Sequence, residues 1–127
     1  MRIPAITLSR SIYISYQDSD GRHAIEVRPP RDLLGTQRSS MAFWGLPRLR
    51  ELGITRLADL GVMDPVVFCG WDDLAELRRE IRLLDDNLAS VEFRPEVKAE
   101  WLSNLIYCYH LVAETAPPGS TPIFSIG

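Results

Sequence analysis

The sequence predicts a small α+β fold: one domain, residues 1–127, with a modest, mainly antiparallel sheet and three to four helices packed on it. Three observations lead there. Residues 11–17 (SIYISYQ) alternate polar and apolar side chains and run through a turn into a second alternating stretch. Residues 72–88 repeat leucine and isoleucine at steps of three and four, the stripe of an amphipathic helix. Strand and helix patterns then interleave without the regular βαβ rhythm or glycine fingerprint of a nucleotide-binding fold. The 127 residues, 46% hydrophobic and 24% charged, suit one domain with its own core.

In chain order, Ile12, Ile14 and Tyr16 point one way and Ser11, Tyr13 and Ser15 the other, as in a half-buried strand. Asp18-Ser19-Asp20-Gly21 has turn chemistry, and 23–28 (HAIEVR) is the returning strand, with Ile25 and Val27 inward. Pro29-Pro30 ends the hairpin. Residues 31–45 hold two glycines and no clean period, so they read as an irregular loop with a helical piece, anchored by Phe43 and Trp44. Two short helices follow, 46–53 with Pro47 in the first turn and 54–61, each closed by a glycine, Gly53 or Gly61.

Val66-Val67-Phe68 is continuously apolar, the pattern of a strand near 66–69 buried on both faces. In the helix after it, Leu74, Leu77, Ile81, Leu84 and Leu88 form the stripe, and Asp73 and Glu76 have the spacing of an acidic capping box. The last helix runs from about Glu96 to Glu114, Pro117-Pro118-Gly119 breaks it, and 121–127 is a C-terminal strand. Burial is expected for Trp44, Trp71 and Trp101.

Net charge is −3, with an excess of +4 in residues 1–56 and −7 in residues 57–127. The acidic balance disfavours nucleic acid as a partner. No run approaches the roughly 18 apolar residues of a membrane span. The two cysteines and an N-terminal stretch 1–15 without an apolar leader core predict reduced thiols and a cytoplasmic location.

Few residues carry a chemical pattern. Only Cys108 and His110 are close enough in sequence to share a metal, and on a helix they diverge by about 200°. The sequence therefore implies no metal site and no cofactor. A thiol enzyme would need Cys69 or Cys108 beside His23 or His110; Cys108 falls on a helix face with Trp101, Leu105 and Val112, which is core. Asp72-Asp73 and Asp85-Asp86 are explained by a helix N-terminus and a solvated face. No catalytic residue is assigned. The segment 49–61 (LRELGITRLADLG) is similar to a helix-hairpin-helix element, whose turn amides meet a phosphate, with Arg48, Arg50 and Arg56 as phosphate contacts. It is the basis of an alternative reading, a nucleic-acid accessory domain; a small thiol-dependent enzyme is the second alternative.

Helical phase divides 100–110 (EWLSNLIYCYH). Trp101, Leu105 and Cys108 belong to a broad apolar arc, while Ser103, Tyr107, His110 and Glu114 line a polar seam where His110 and Glu114 could pair four apart. The second half of the chain, with Gly70-Trp71-Asp72-Asp73-Leu74 opening one helix, Trp101 to Tyr109 in the next and Pro122 to Gly127 closing, resembles small immunity-type proteins of bacterial polymorphic toxin systems. That resemblance covers residues 64–127 and implies a non-enzymatic α+β protein that binds and neutralises a cognate protein toxin. Acidic surfaces steer association with basic partners. The residues expected to meet a partner are Asp72, Asp73, Glu76, Glu80, Asp85 and Asp86 on the acidic helix, with Tyr107 and His110 on the polar seam. The competing expectation for the acidic run is a solvated face with pairs such as Arg82–Asp86.

Overall fold

A computed structural model describes residues 8–127; the reading of residues 1–7 as free of a leader pattern lies outside them. An antiparallel sheet of five strands carries four helices, the α+β fold that the patterning predicts. Strand β1 (Ser9–Asp18) turns through Ser19-Asp20 into β2 (Gly21–Ile25), with Ile14 opposite Ile25 and Asp18 opposite Gly21. The Asp18 carboxylate accepts the Asp20 N–H at 2.8 Å, and Gly21 supplies the positive φ of 117°.

The stretch 31–45 is more regular than its sequence indicates. Leu33–Thr36 is a strand, β3, on β1, and Gln37–Trp44 is helix α1, whose first turn is capped by Thr36 Oγ1 accepting the Ser39 N–H at 3.1 Å. Four residues are too few to show an alternation, so the strand is set by its pairing with β1. Helix α2 (Pro47–Glu51) ends at Gly53, with φ of 92°. Residues 57–61 form one 3-10 turn rather than an α-helix. Gly61 closes it where a Cβ would lie 2.6 Å from the Gly45 Cα, so the backbones of α1 and this turn meet directly.

Strand β4 (Val66–Cys69) pairs with β5 (Thr121–Ile126), β5 with β1, and the order is β2-β1-β5-β4. Ile12, Ile14, Phe68, Phe124 and Ile126 face the helices α3 (Trp71–Asn87) and α4 (Pro95–Thr115). The opposite side of the sheet is open: Tyr13 is 62% exposed and Val67 41%. Strand β4 is therefore buried on one face only, a correction to the two-sided burial read from Val66-Val67-Phe68. It is an edge strand, and its alternate residues have nothing packed over them. A clamp covers its outer edge instead. Arg56 donates to the Val67 carbonyl at 2.6 Å, lies over the Phe68 ring and pairs with Asp73 at 2.9 Å, while Asp73 accepts the Cys69 N–H at 2.9 Å.

The α3 stripe Leu74, Leu77, Ile81 and Leu84 is buried, as are Trp101, Leu105, Cys108 and Val112 on α4. A second part of the core is aromatic, with Phe43 edge-on to Trp44, Phe93 and Trp101 at centroid separations of 4.8, 5.1 and 5.6 Å. Trp71 departs from the expected burial at 41% exposure; it opens α3 at the sheet margin, where its indole N–H reaches the Ser120 carbonyl at 2.8 Å. No helix among the described residues is long and apolar enough to cross a membrane.

Candidate functional site

The acidic residues of α3 do not form one surface. Residues 73, 76 and 80 turn toward the 53–57 segment, residues 72 and 86 point outward, and 85 turns toward α4. Glu80 leaves the candidate surface altogether: it is fully buried. One carboxylate oxygen accepts the Leu57 N–H at 2.9 Å and the other the Arg56 N–H at 3.1 Å, so Glu80 caps the 3-10 turn from a neighbouring helix. Its position on the sequence wheel, one step off the apolar stripe, placed it at the margin of the core, where only a carboxylate with waiting donors is tolerated. Glu76 is claimed by Arg79, whose N–H groups hold its carboxyl below the usual carboxylate range while Glu76 raises the Arg79 guanidinium. Asp73 is lowered likewise, first by the Cys69 N–H and then by Arg56. Asp72, Asp85 and Asp86 remain exposed. Neither an Arg82–Asp86 nor a His110–Glu114 ion pair forms among the described residues.

The same geometry bears on the stretch 49–61. The amides of its Gly53-Ile54 turn donate to the Arg50 and Leu49 carbonyls at 3.0 Å each, and the next ones, of Arg56 and Leu57, to Glu80. Its arginines are also engaged: Arg48 with Glu51 and Ser90, Arg50 with Asp59 at 2.9 Å, and Arg56 in the β4 clamp. The amides and arginines of this stretch are thus already engaged within the fold.

The cysteines separate in the same way. Cys108 is fully buried, its thiol 3.5 Å from the Arg31 carbonyl, and burial pushes its pKa up to about 12. A thiol so held is not the thiolate a nucleophile needs. Cys69 is exposed on the open face of β4. His23 is bonded to Asp18 at 2.9 Å and stacked on Tyr16 in the hairpin. Neither cysteine is hydrogen-bonded to a histidine among the described residues, and no three or more potential ligands converge on a metal position there.

What the structure does assemble is the face between α3 and α4. Two hollows, of about 460 and 190 Å³, meet at Ile106 and His110. The larger has an apolar floor of Leu88, Ala99, Leu102 and Ile106 and a polar margin of Ser103, Tyr107 and His110. The smaller adds Arg78, Arg82 and Asp85 from α3 and Tyr109 from α4. Tyr107, His110 and Asp85, three of the residues expected to meet a partner, therefore belong to one surface; Asp72, Asp73 and Glu76 lie toward the opposite end of α3.

Arg31, absent from the sequence prediction, completes the face. The amide of Asn104, nearly buried on α4, donates to the Pro30 and Leu33 carbonyls at 3.2 and 2.9 Å, and the Cys108 thiol holds the carbonyl of Arg31. These contacts lay the 30–33 segment along α4 and bring the Arg31 guanidinium 3.6 Å from the centre of the Tyr107 ring. Below it, Lys98 donates to the Leu88 and Val91 carbonyls at 2.8 and 2.6 Å, closing the end of α3 that forms one wall of the larger hollow. Arg78 and Arg82, four apart on the α3 flank, were readable from helical phase; Arg31 was not, since its place depends on two side chains of a helix far along the chain.

A hollow of about 490 Å³ on the open side of the sheet is slightly larger, floored by Tyr13, Ser15 and Ser125. It brings together only Arg22 and Asp32 as charged groups, at the notch between β2 and β3, and it includes no residue that the sequence marks for partner contact. The α3–α4 face is the better candidate because apolar floor, aromatic rim and charged groups converge on it. Comparison with protein-family models, with curated proteins and with solved structures returns no match.

Proposed function

We propose that this chain is a non-enzymatic binding protein of the immunity type, which neutralises a cognate protein toxin by docking it on the α3–α4 face. The observation that carries the docking reading is the pair of hollows joined at Ile106 and His110, rimmed by Tyr107, Tyr109 and three arginines. Tyrosine and arginine around an apolar floor are the side chains that dominate protein interfaces, because they combine large contact area with directional polar tips. The resemblance of 64–127 to immunity-type proteins supplies the class of partner. Cys108 as a buried thiol and Glu80 as an internal cap both favour structural over chemical roles for the groups with catalytic potential.

The test is co-expression with the product of the adjacent reading frame in a host that this product poisons. Wild-type chain restores growth, and Ile106→Arg, which puts a charge into the floor of both hollows, does not. A neighbouring product that is harmless, or one against which Ile106→Arg protects as well as wild type, rules the reading out.

A further inference from the structure

We infer that the larger hollow receives an apolar side chain of the protein partner, with an adjacent carboxylate of that partner seated on Arg31. The inference rests on the docking reading above and adds the chemistry of what docks.

The charges around the hollow favour an acidic partner. Arg31 is the charged residue of its lining, and none of its lining residues is acidic. The adjoining hollow brings Arg78 and Arg82 against one aspartate, Asp85. Three arginines and one aspartate thus line the two hollows, although the chain carries −3 overall. Arg31 is also prepared for the contact. Its guanidinium carbon lies 3.6 Å from the centre of the Tyr107 ring, and no described residue accepts a hydrogen bond from the guanidinium or pairs with it. A guanidinium is planar, and the paired N–H groups along its edge match the two oxygens of a carboxylate. The backbone beneath it is held through Asn104 and Cys108, so little ordering remains to be done on binding. Beside that edge lies the floor of Leu102 and Ile106, which accepts an aliphatic or aromatic group and no charge. Carboxylate and apolar group must therefore be neighbours in the ligand, as in an acidic residue next to leucine or phenylalanine.

The experiment is selection from a random dodecamer peptide library displayed on phage, run in parallel on wild type, Arg31→Gln, Arg31→Lys and Ile106→Arg, each checked for folding by circular dichroism. Wild type is expected to enrich peptides with Asp or Glu next to a large apolar residue. The capped consensus peptide should bind Arg31→Gln about tenfold more weakly by calorimetry, in keeping with loss of a charge-assisted hydrogen bond. Arg31→Lys, which keeps the charge and loses the planar fork, should fall between the two. No enriched peptide, a consensus without an acidic position, or equal binding by wild type and Arg31→Gln would overturn the inference. If Ile106→Arg abolishes selection while the wild-type consensus lacks an acid, the carboxylate inference fails and the docking face stands. If Ile106→Arg enriches the same peptides as wild type, both fail.

Discussion

Replacing Glu80 by alanine removes an acceptor that two backbone donors share inside the core. The Leu57 and Arg56 N–H groups approach its carboxylate at 2.9 and 3.1 Å, and the residue is completely shielded from solvent. A buried donor left without a partner costs about 1–3 kcal/mol, so two of them cost roughly 2–6 kcal/mol, with the Thr55 hydroxyl at 3.4 Å adding little. For a chain of this size that is a fall in Tm on the order of 10 °C or more. Urea unfolding at pH 7, followed by tryptophan fluorescence, reads it as a drop in midpoint with an unchanged m-value. Glu80→Gln, which keeps one acceptor oxygen, should fall between wild type and alanine and serves as the readout if the alanine variant does not fold. Asp86→Asn, exposed on the same helix, is the control and should stay within about 0.5 kcal/mol of wild type. If Glu80→Ala also stays within that margin, Glu80 is not the cap of the 57–61 turn and the division of the α3 acids is wrong.

Four further outcomes follow from the packing. At pH 8 an aromatic disulfide reagent should titrate one thiol, exposed Cys69, in the folded chain and two in denaturant. Because the Cys108 thiol is raised from 9.0 to about 12, the unfolded chain loses its proton first, so stability falls as pH rises from about 9 toward 12, and Cys108→Ala should flatten that limb in pH-dependent urea melts. Asp73 behaves oppositely: its folded pKa is lowered from 3.8, so its contribution is present above that value and lost as pH falls through the folded pKa. Asp73→Asn should therefore be less stable than wild type at pH 7, with the gap closing in melts below pH 3.8. Gly61→Ala forces a methyl against the Gly45 backbone at 2.6 Å and should cost about 1–3 kcal/mol by the same assay.

Periodic features of this fold were legible in the sequence. The alternation of Ile12 and Ile14, the Leu74–Leu84 stripe and the division of α4 into a Cys108 side and a His110 side all hold, because each reports local geometry repeated over several residues. Burial set by long-range pairing was not legible. Val67 is exposed because nothing packs over that face of β4, and Trp71 because its helix begins at the sheet margin. The fate of each charge was least visible. Glu80 and Asp73 look alike in a run of acids, yet one is a buried cap and the other clamps an edge. Arg10 gave no signal at all, and it is 1% exposed, donating to the Leu60 carbonyl at 2.6 Å with its pKa lowered by burial. Such assignments depend on which backbone groups the fold leaves without a partner, and that information lies in the tertiary structure.

The docking claim is tested most directly by hydrogen–deuterium exchange of the chain with and without the purified product of the adjacent reading frame. The account predicts slowed exchange confined to residues 28–33, 78–89 and 99–110, where the two hollows and Arg31 lie. Protection centred on the open side of the sheet, in β1 and β2, or no protection anywhere, would contradict it.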